Sequence, residues 1–207
     1  LDHHLEKFPL PEVPYKRSTH FGGWLRDRSN GSCLNTRGKV LVRDSARDVT
    51  YKPGSSPDKP QQCTVQGGEW NDPYTAQVFL SARDIQIDHL VALKNAYMTG
   101  AYEWDFKKRC LYANYLGNNF HLLSVNGREN QLKSDHTPEG YIPPNGSYVC
   151  QFVKQWLNVK LIWSLRITPK ESTAIDQIVS ENQCDPQIFV VSHDELARQR
   201  EFMTTHA

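Results

Sequence analysis

The sequence predicts an α+β domain, in which a short β-sheet and a strand–strand–helix unit are flanked by helices and held by disulfides. Three observations carry this. Short β-type runs cluster between residues 63 and 93 and recur at 120–125, with turn residues between them. Apolar residues at near-helical spacing fill 94–114, 147–163 and 169–183. Hydrophobic residues make up 38% of the chain and aromatics 11%, at a net charge of +1, a composition that buries a core rather than one that stays disordered.

In chain order, residues 1–29 are polar and interrupted by Pro9, Pro11 and Pro14, which reads as an extended N-terminal tail or strap. His3 and His4 are read as solvated tail residues. The stretch 36–45 fits a short helix or a strand, and its pattern does not decide. The segment 52–62 is a turn-rich loop. Strands are expected at Cys63–Val65, Ala76–Ser81 and Ile85–Leu93. A helix is expected over Lys94–Asn114, a short strand at Phe120–Val125 and a helix start at Gly127–Lys133. Ser147–Trp163 reads as an amphipathic helix. Pro169–Gln183 reads as another, with Pro169 in its first turn and Glu171 placed to suit the N-terminal dipole. Residues 185–207 are a C-terminal tail or helix. No repeat, transmembrane run or secretory leader is visible, so the chain reads as cytosolic or as a mature form whose leader is already removed.

The five cysteines form no CxxC pair, which excludes a zinc ribbon or thioredoxin-like motif. Cys33 and Cys63 flank a loop-rich segment with little core of its own. Cys150 and Cys184 would tie two C-terminal helices together. Other pairings fit the sequence, and Cys110 makes the count odd. The spacing favours a secreted, disulfide-bonded protein. The sequons at Asn30 and Asn145 barely move that balance.

The informative block is Asp84–Pro138. A β-type run ends in Asp88-His89, a second strand starts near His121, and a helix follows with Asn130 and Lys133. Phosphodiester hydrolysis needs these residue types. A neutral histidine can take the proton of an attacking water near pH 7. A divalent cation must offset charge on the phosphoryl and leaving oxygens, and carboxylate and amide oxygens suit such a hard ion. Neighbours on a strand point to opposite faces, so Asp88 and His89 can share one site only where the strand twists or ends.

The ordered motifs resemble the HNH, or His-Me finger (ββα-metal), nuclease superfamily. Within it they resemble the secreted endonuclease family whose domain also occurs at the C-terminus of some type IV restriction enzymes. The matching residues are Ile87-Asp88-His89, Thr99-Gly100-Ala101 with Trp104, Ala113-Asn114 and Leu122-Leu123-Ser124-Val125. They continue with Asn130 through Lys133, Asp135 and Pro138, and Pro143-Pro144-Asn145. Upstream, Gly68-Glu69-Trp70 and Asp72-Pro73-Tyr74-Thr75 also match, and Cys33, Cys63, Cys150 and Cys184 resemble the family's cysteine framework. The resemblance covers residues 30–184 and implies a ββα-metal core there.

By this resemblance His89 is the general base, and Asp88 and Asn130 hold the metal. His121 stands where many relatives have an asparagine that orients the base, and Asn119 is the alternative. Lys133, Arg128 and, more weakly, Arg109 are candidates for phosphate contacts. The cation is Mg²⁺, with Mn²⁺, Ca²⁺ and Zn²⁺ as alternatives.

The expected protein is a secreted, monomeric endonuclease with no membrane partner. It would cut DNA, with RNA as a second substrate, show little sequence preference and leave 5′-phosphate ends. The near-neutral charge implies salt-sensitive binding through one local patch. The rival readings are a nucleic-acid-binding module or an effector that retains only the scaffold, a ribonuclease, and a toxin with an inhibitor protein as partner.

Overall fold

The computed structural model describes residues 11–26, 33–54 and 63–206. His3, His4, the first sequon and most of the loop at 52–62 lie outside the described residues. The fold is α+β with two disulfides, Cys33–Cys63 and Cys150–Cys184. Cys110 is a free, half-buried thiol.

The chain enters through a short helix α1 (Arg17–His20) and continues to α2 (Thr36–Asp44). The undecided stretch at 36–45 is helical because Asn35 caps it, its side chain accepting the Gly38 N–H. Strands β1 (Thr50–Tyr51), β2 (Val65–Asn71) and β3 (Val78–Ser81) form an antiparallel sheet in the order β1-β2-β3. Trp70, buried under α2, donates its indole N–H to the Leu41 carbonyl at 2.9 Å.

Strands β4 (Ile85–His89) and β5 (Leu122–Asn126) form a separate antiparallel pair, with Asp88 opposite Leu123 and His89 opposite Leu122. Between them run α3 (Leu93–Met98) and α4 (Phe106–Ala113). The single helix expected over 94–114 is broken, because Gly100 takes φ 145°, a conformation that favours glycine, and Asp105 caps a new start by accepting the Lys108 N–H. Directly after β5 comes α5 (Gly127–Lys133), whose first turn is capped by Asn126 through the N–H groups of Arg128 and Glu129.

The C-terminal part is helical: α6 (Val149–Ile162), α7 (Pro169–Glu181) and α8 (His193–His206). Helix α7 starts where Pro169 and Glu171 place it, with Thr168 and Glu171 closing a capping box. The larger apolar core joins α3, α4, α6 and α7 around Trp156, Trp163, Tyr112 and Tyr115. A smaller one joins α2, β2 and β4. Among the described residues no helix is long and apolar enough to cross a membrane.

Residues 11–26 are docked as a strap. Phe21 is fully buried. The Tyr97 hydroxyl donates to the Val13 carbonyl at 3.0 Å. Asn114 accepts the Leu25 N–H at 2.9 Å and donates to the Gly23 carbonyl at 3.1 Å. An asparagine side chain has both a donor and an acceptor end, so one residue can tie the strap to α4.

Candidate active site

The β4–β5–α5 unit brings Asp88, His89 and Asn130 to one cavity of about 460 Å³. Strand β4 ends at His89, which removes the opposite-face objection for the adjacent Asp88. Both side chains are buried and both line the cavity.

His89 is held from two sides. Its Nε2 lies 2.9 Å from the Ala113 carbonyl. The last carbonyls of a helix have no partner within the helix, and Ala113 ends α4. A carbonyl only accepts, so Nε2 carries the proton and Nδ1 keeps its lone pair. Nδ1 has no partner among the described residues. The Trp24 ring lies parallel to the imidazole, 1° between planes and 5.3 Å between centroids. Burial lowers the His89 pKa to about 3; the Ala113 carbonyl opposes this, and His121, Arg17 and Lys133 add to it. The imidazole is therefore neutral at physiological pH, the form that can accept a proton.

Asp88 is buried between two donors. Lys133 Nζ donates to Oδ1 at 2.8 Å and the Tyr74 hydroxyl to Oδ2 at 2.5 Å. Burial raises the Asp88 pKa, while the Lys133 ammonium and the Tyr74 hydroxyl favour the carboxylate. Tyr74 is positioned by its own loop. The Asp72 carboxylate accepts N–H groups from Tyr74 and Thr75, and Asn145 donates to the Pro73 carbonyl at 2.9 Å. The Asp72–Thr75 and Pro143–Asn145 motifs therefore meet to place one hydroxyl on Asp88.

Asn130 donates its Nδ2–H to Gln86 Oε1 at 2.8 Å, which leaves its Oδ1 without a partner among the described residues. A carboxylate offers about four lone-pair sites, and Lys133 and Tyr74 use two of them. The donor set thus fits a small hard cation, which needs only one or two protein oxygens beside water and phosphate. No cluster of three or more His, Cys, Asp or Glu occurs among the described residues.

Four expectations change. Lys133 is not a phosphate contact: it is completely buried, and its ammonium is used by Asp88 and by the His89 carbonyl at 3.1 Å. Arg109 is not one either, because its guanidinium clamps the carbonyls of His20 and Trp104. Neither His121 nor Asn119 bonds His89. His121 packs among Tyr112, Tyr115 and Trp163, with Nε2 on the Tyr112 carbonyl at 2.7 Å and its pKa lowered by burial to about 3. It pins the helix end whose next carbonyl holds His89. Asn119 is exposed, and neighbouring Asn118 caps the start of β5 instead. Arg128 is exposed on α5, open to a ligand.

Sequence reasoning missed Tyr15, Arg17, Trp24 and Tyr74. The first two line the cavity from the strap. Only Tyr74 had a signal, its place in a recognisable motif; strap residues have none without the docking partner.

An α+β domain that presents a neutral histidine, a carboxylate and an amide oxygen to one cavity has the parts of a nuclease. The model of the family described as the C-terminal domain of GmrSD restriction endonucleases matches residues 39–178, and the chain belongs to that family. It is thus a nuclease-type domain by family. An "Uncharacterized secreted protein" from Arthroderma benhamiae is 34% identical over 170 residues, covering 82% of this chain and 76% of that protein. No solved structure matches.

Proposed function

We propose that this protein is a secreted, metal-dependent endonuclease of low sequence preference, with DNA as substrate and RNA as a second one. The observation that carries this is the open side of the site. His89 Nδ1 and Asn130 Oδ1 both lack partners among the described residues and share a cavity with the Asp88 carboxylate.

His89 takes a proton from water through Nδ1, while the Ala113 carbonyl and Trp24 keep the ring in place. The water oxygen attacks phosphorus in line. The 3′-oxygen leaves and takes a proton from solvent, so the new ends are 5′-phosphate and 3′-hydroxyl. An imidazolium formed in a buried site is costly, and the anionic phosphate beside it offsets that cost. Asp88 and Asn130 would hold a divalent cation, Mg²⁺ first, which neutralises charge on the phosphoryl and leaving oxygens when bound. Tyr74 and Lys133 fix the Asp88 carboxylate in one orientation. Secretion is supported by the relative's printed name and by the two disulfides, which persist in oxidising compartments.

The test is cleavage of plasmid and of RNA by the purified chain, with Mg²⁺ and with EDTA, beside His89→Ala. Loss of cutting under both treatments is expected, and the ratio of DNA to RNA rates ranks the substrates. His89→Ala protein that cuts as fast as wild type would sink the proposal.

A further inference from the structure

The cavity has two walls of different origin. One belongs to the β4–β5–α5 unit. The other is the strap, which contributes Tyr15 and Arg17 and lies before residue 39, where the family match begins.

The charges on these walls do not cancel. Two acids and two basic residues line the cavity: Asp88, Asp135, Lys94 and Arg17. Lys133 neutralises Asp88 from behind at 2.8 Å. Lys94 pairs with Asp135 at 2.5 Å. Arg17 is exposed, and its guanidinium has no hydrogen bond or acidic partner among the described residues. One positive charge is therefore left over at the mouth of a site read as taking an anionic phosphodiester.

One ring contact orients it although it is exposed. The guanidinium sits over the Trp24 ring, 5.8 Å from its centroid, and Trp24 in turn lies flat on the His89 imidazole. The backbone on both sides is anchored. The Lys16 N–H donates to His20 Nδ1 at 2.9 Å, Arg109 holds the His20 carbonyl at 3.0 Å, and Phe21 is buried. A planar guanidinium held this way can give two parallel hydrogen bonds to phosphate oxygens, which a flexible ammonium cannot.

We infer that Arg17, supplied by the N-terminal strap, binds a backbone phosphate of the nucleic acid beside the base His89. The inference rests on the nuclease reading for its ligand. Arg17 is then a substrate-binding residue that the matched family segment does not contain.

The experiment is binding of a fluorescent duplex oligonucleotide to the full chain in EDTA, across a salt series, for wild type, Arg17→Gln, Arg17→Lys and the surface control Arg198→Gln. Cleavage kcat and KM and the melting temperature are measured on the same proteins. Arg17→Gln should weaken binding by about tenfold and reduce the slope of log K against log salt by about 1. KM should rise in step while kcat and the melting temperature stay close to wild type. Arg17→Lys should recover part of the affinity, and Arg198→Gln should bind as wild type.

Unchanged affinity and salt slope in Arg17→Gln would overturn the inference and leave the nuclease reading intact. Salt-sensitive binding that depends on Arg17, without cleavage by wild type under any metal, would uphold the inference and end the nuclease reading. Wild-type protein that binds no duplex would overturn the inference.

Discussion

Two buried lysines sit in two regions of this molecule, and their surroundings differ. Lys160, on α6, pairs with Glu171 of α7 at 3.4 Å inside the helical C-terminal part. Its ammonium also donates to the Thr99 hydroxyl and the Arg166 carbonyl, and Glu171 further accepts from Asn95 and from the Thr168 N–H. Lys133 pairs with Asp88 at 2.8 Å, but Asp88 lines a cavity in which His89 Nδ1 and Asn130 Oδ1 have no partner among the described residues. The Lys160–Glu171 network joins helices, and Asn95 Oδ1 beside it is buried without a partner among the described residues. The pair at the cavity is equipped for chemistry. Burial alone does not separate the two, because both lysines are almost completely enclosed. What separates them is the cavity: Asp88, His89 and Asn130 line one, whereas Asn95 Oδ1, the unpartnered atom beside Glu171, is sealed in the interior.

Five variants would sharpen or break this contrast. The largest effect is expected for His89→Ala, which should lower the cleavage rate by about 10²–10⁴-fold through loss of the base. Initial rates on supercoiled plasmid check it, and circular dichroism should show the fold retained.

Next come the lysines themselves. Lys133→Met and Lys160→Met each strand a buried carboxylate and should each cost about 3–5 kcal/mol in urea unfolding. The comparison lies in activity per folded molecule: Lys133→Met should lose it and Lys160→Met should keep it. Equal retention in both would erase the distinction between the two networks.

Opening the Cys150–Cys184 bridge with a double serine variant should cost about 3–4 kcal/mol, because its separation of 34 residues closes a long loop. Specific activity at low temperature should be unaffected, since the bridge joins α6 to the end of α7, away from the cavity.

The smallest effect is expected for Tyr74→Phe. It removes one hydroxyl from Asp88 and should cost about 1–3 kcal/mol of stability. Its more informative readout is a Mg²⁺ titration of cleavage shifted to higher concentration, because the freed carboxylate is no longer held in one orientation. An unchanged metal titration would mean that Lys133 alone fixes Asp88.

Much of the site was legible because its chemistry is local in sequence. Asp88 and His89 are adjacent, Asn130 lies on the helix directly after β5, and the motif order picks out all three. The helix α7 was equally legible, since Pro169 and Glu171 act within one turn of its start. Lys133 was not. On a seven-residue helix it looks like a solvated charge, and only the packing of α5 against β4 sends its ammonium inward. Arg109 misled in the same way, because backbone carbonyls that will accept a guanidinium leave no mark on composition. The group that orients His89 could not have been found by residue type at all, since it is the carbonyl of Ala113 and every residue has one.

By itself the sequence determined the α+β class and the order of the segments that carry Asp88, His89 and Asn130. These follow from periodicity, capping and neighbouring residue types, which act over a few bonds. Only the tertiary structure decided that the N-terminal strap folds back onto the site, that Trp24 covers His89 and that Lys133 is buried while Arg17 is not. Those outcomes depend on which surfaces meet across 45 to 89 residues of chain. Desolvation, which sets whether a charge is spent or available, exists only once they have met.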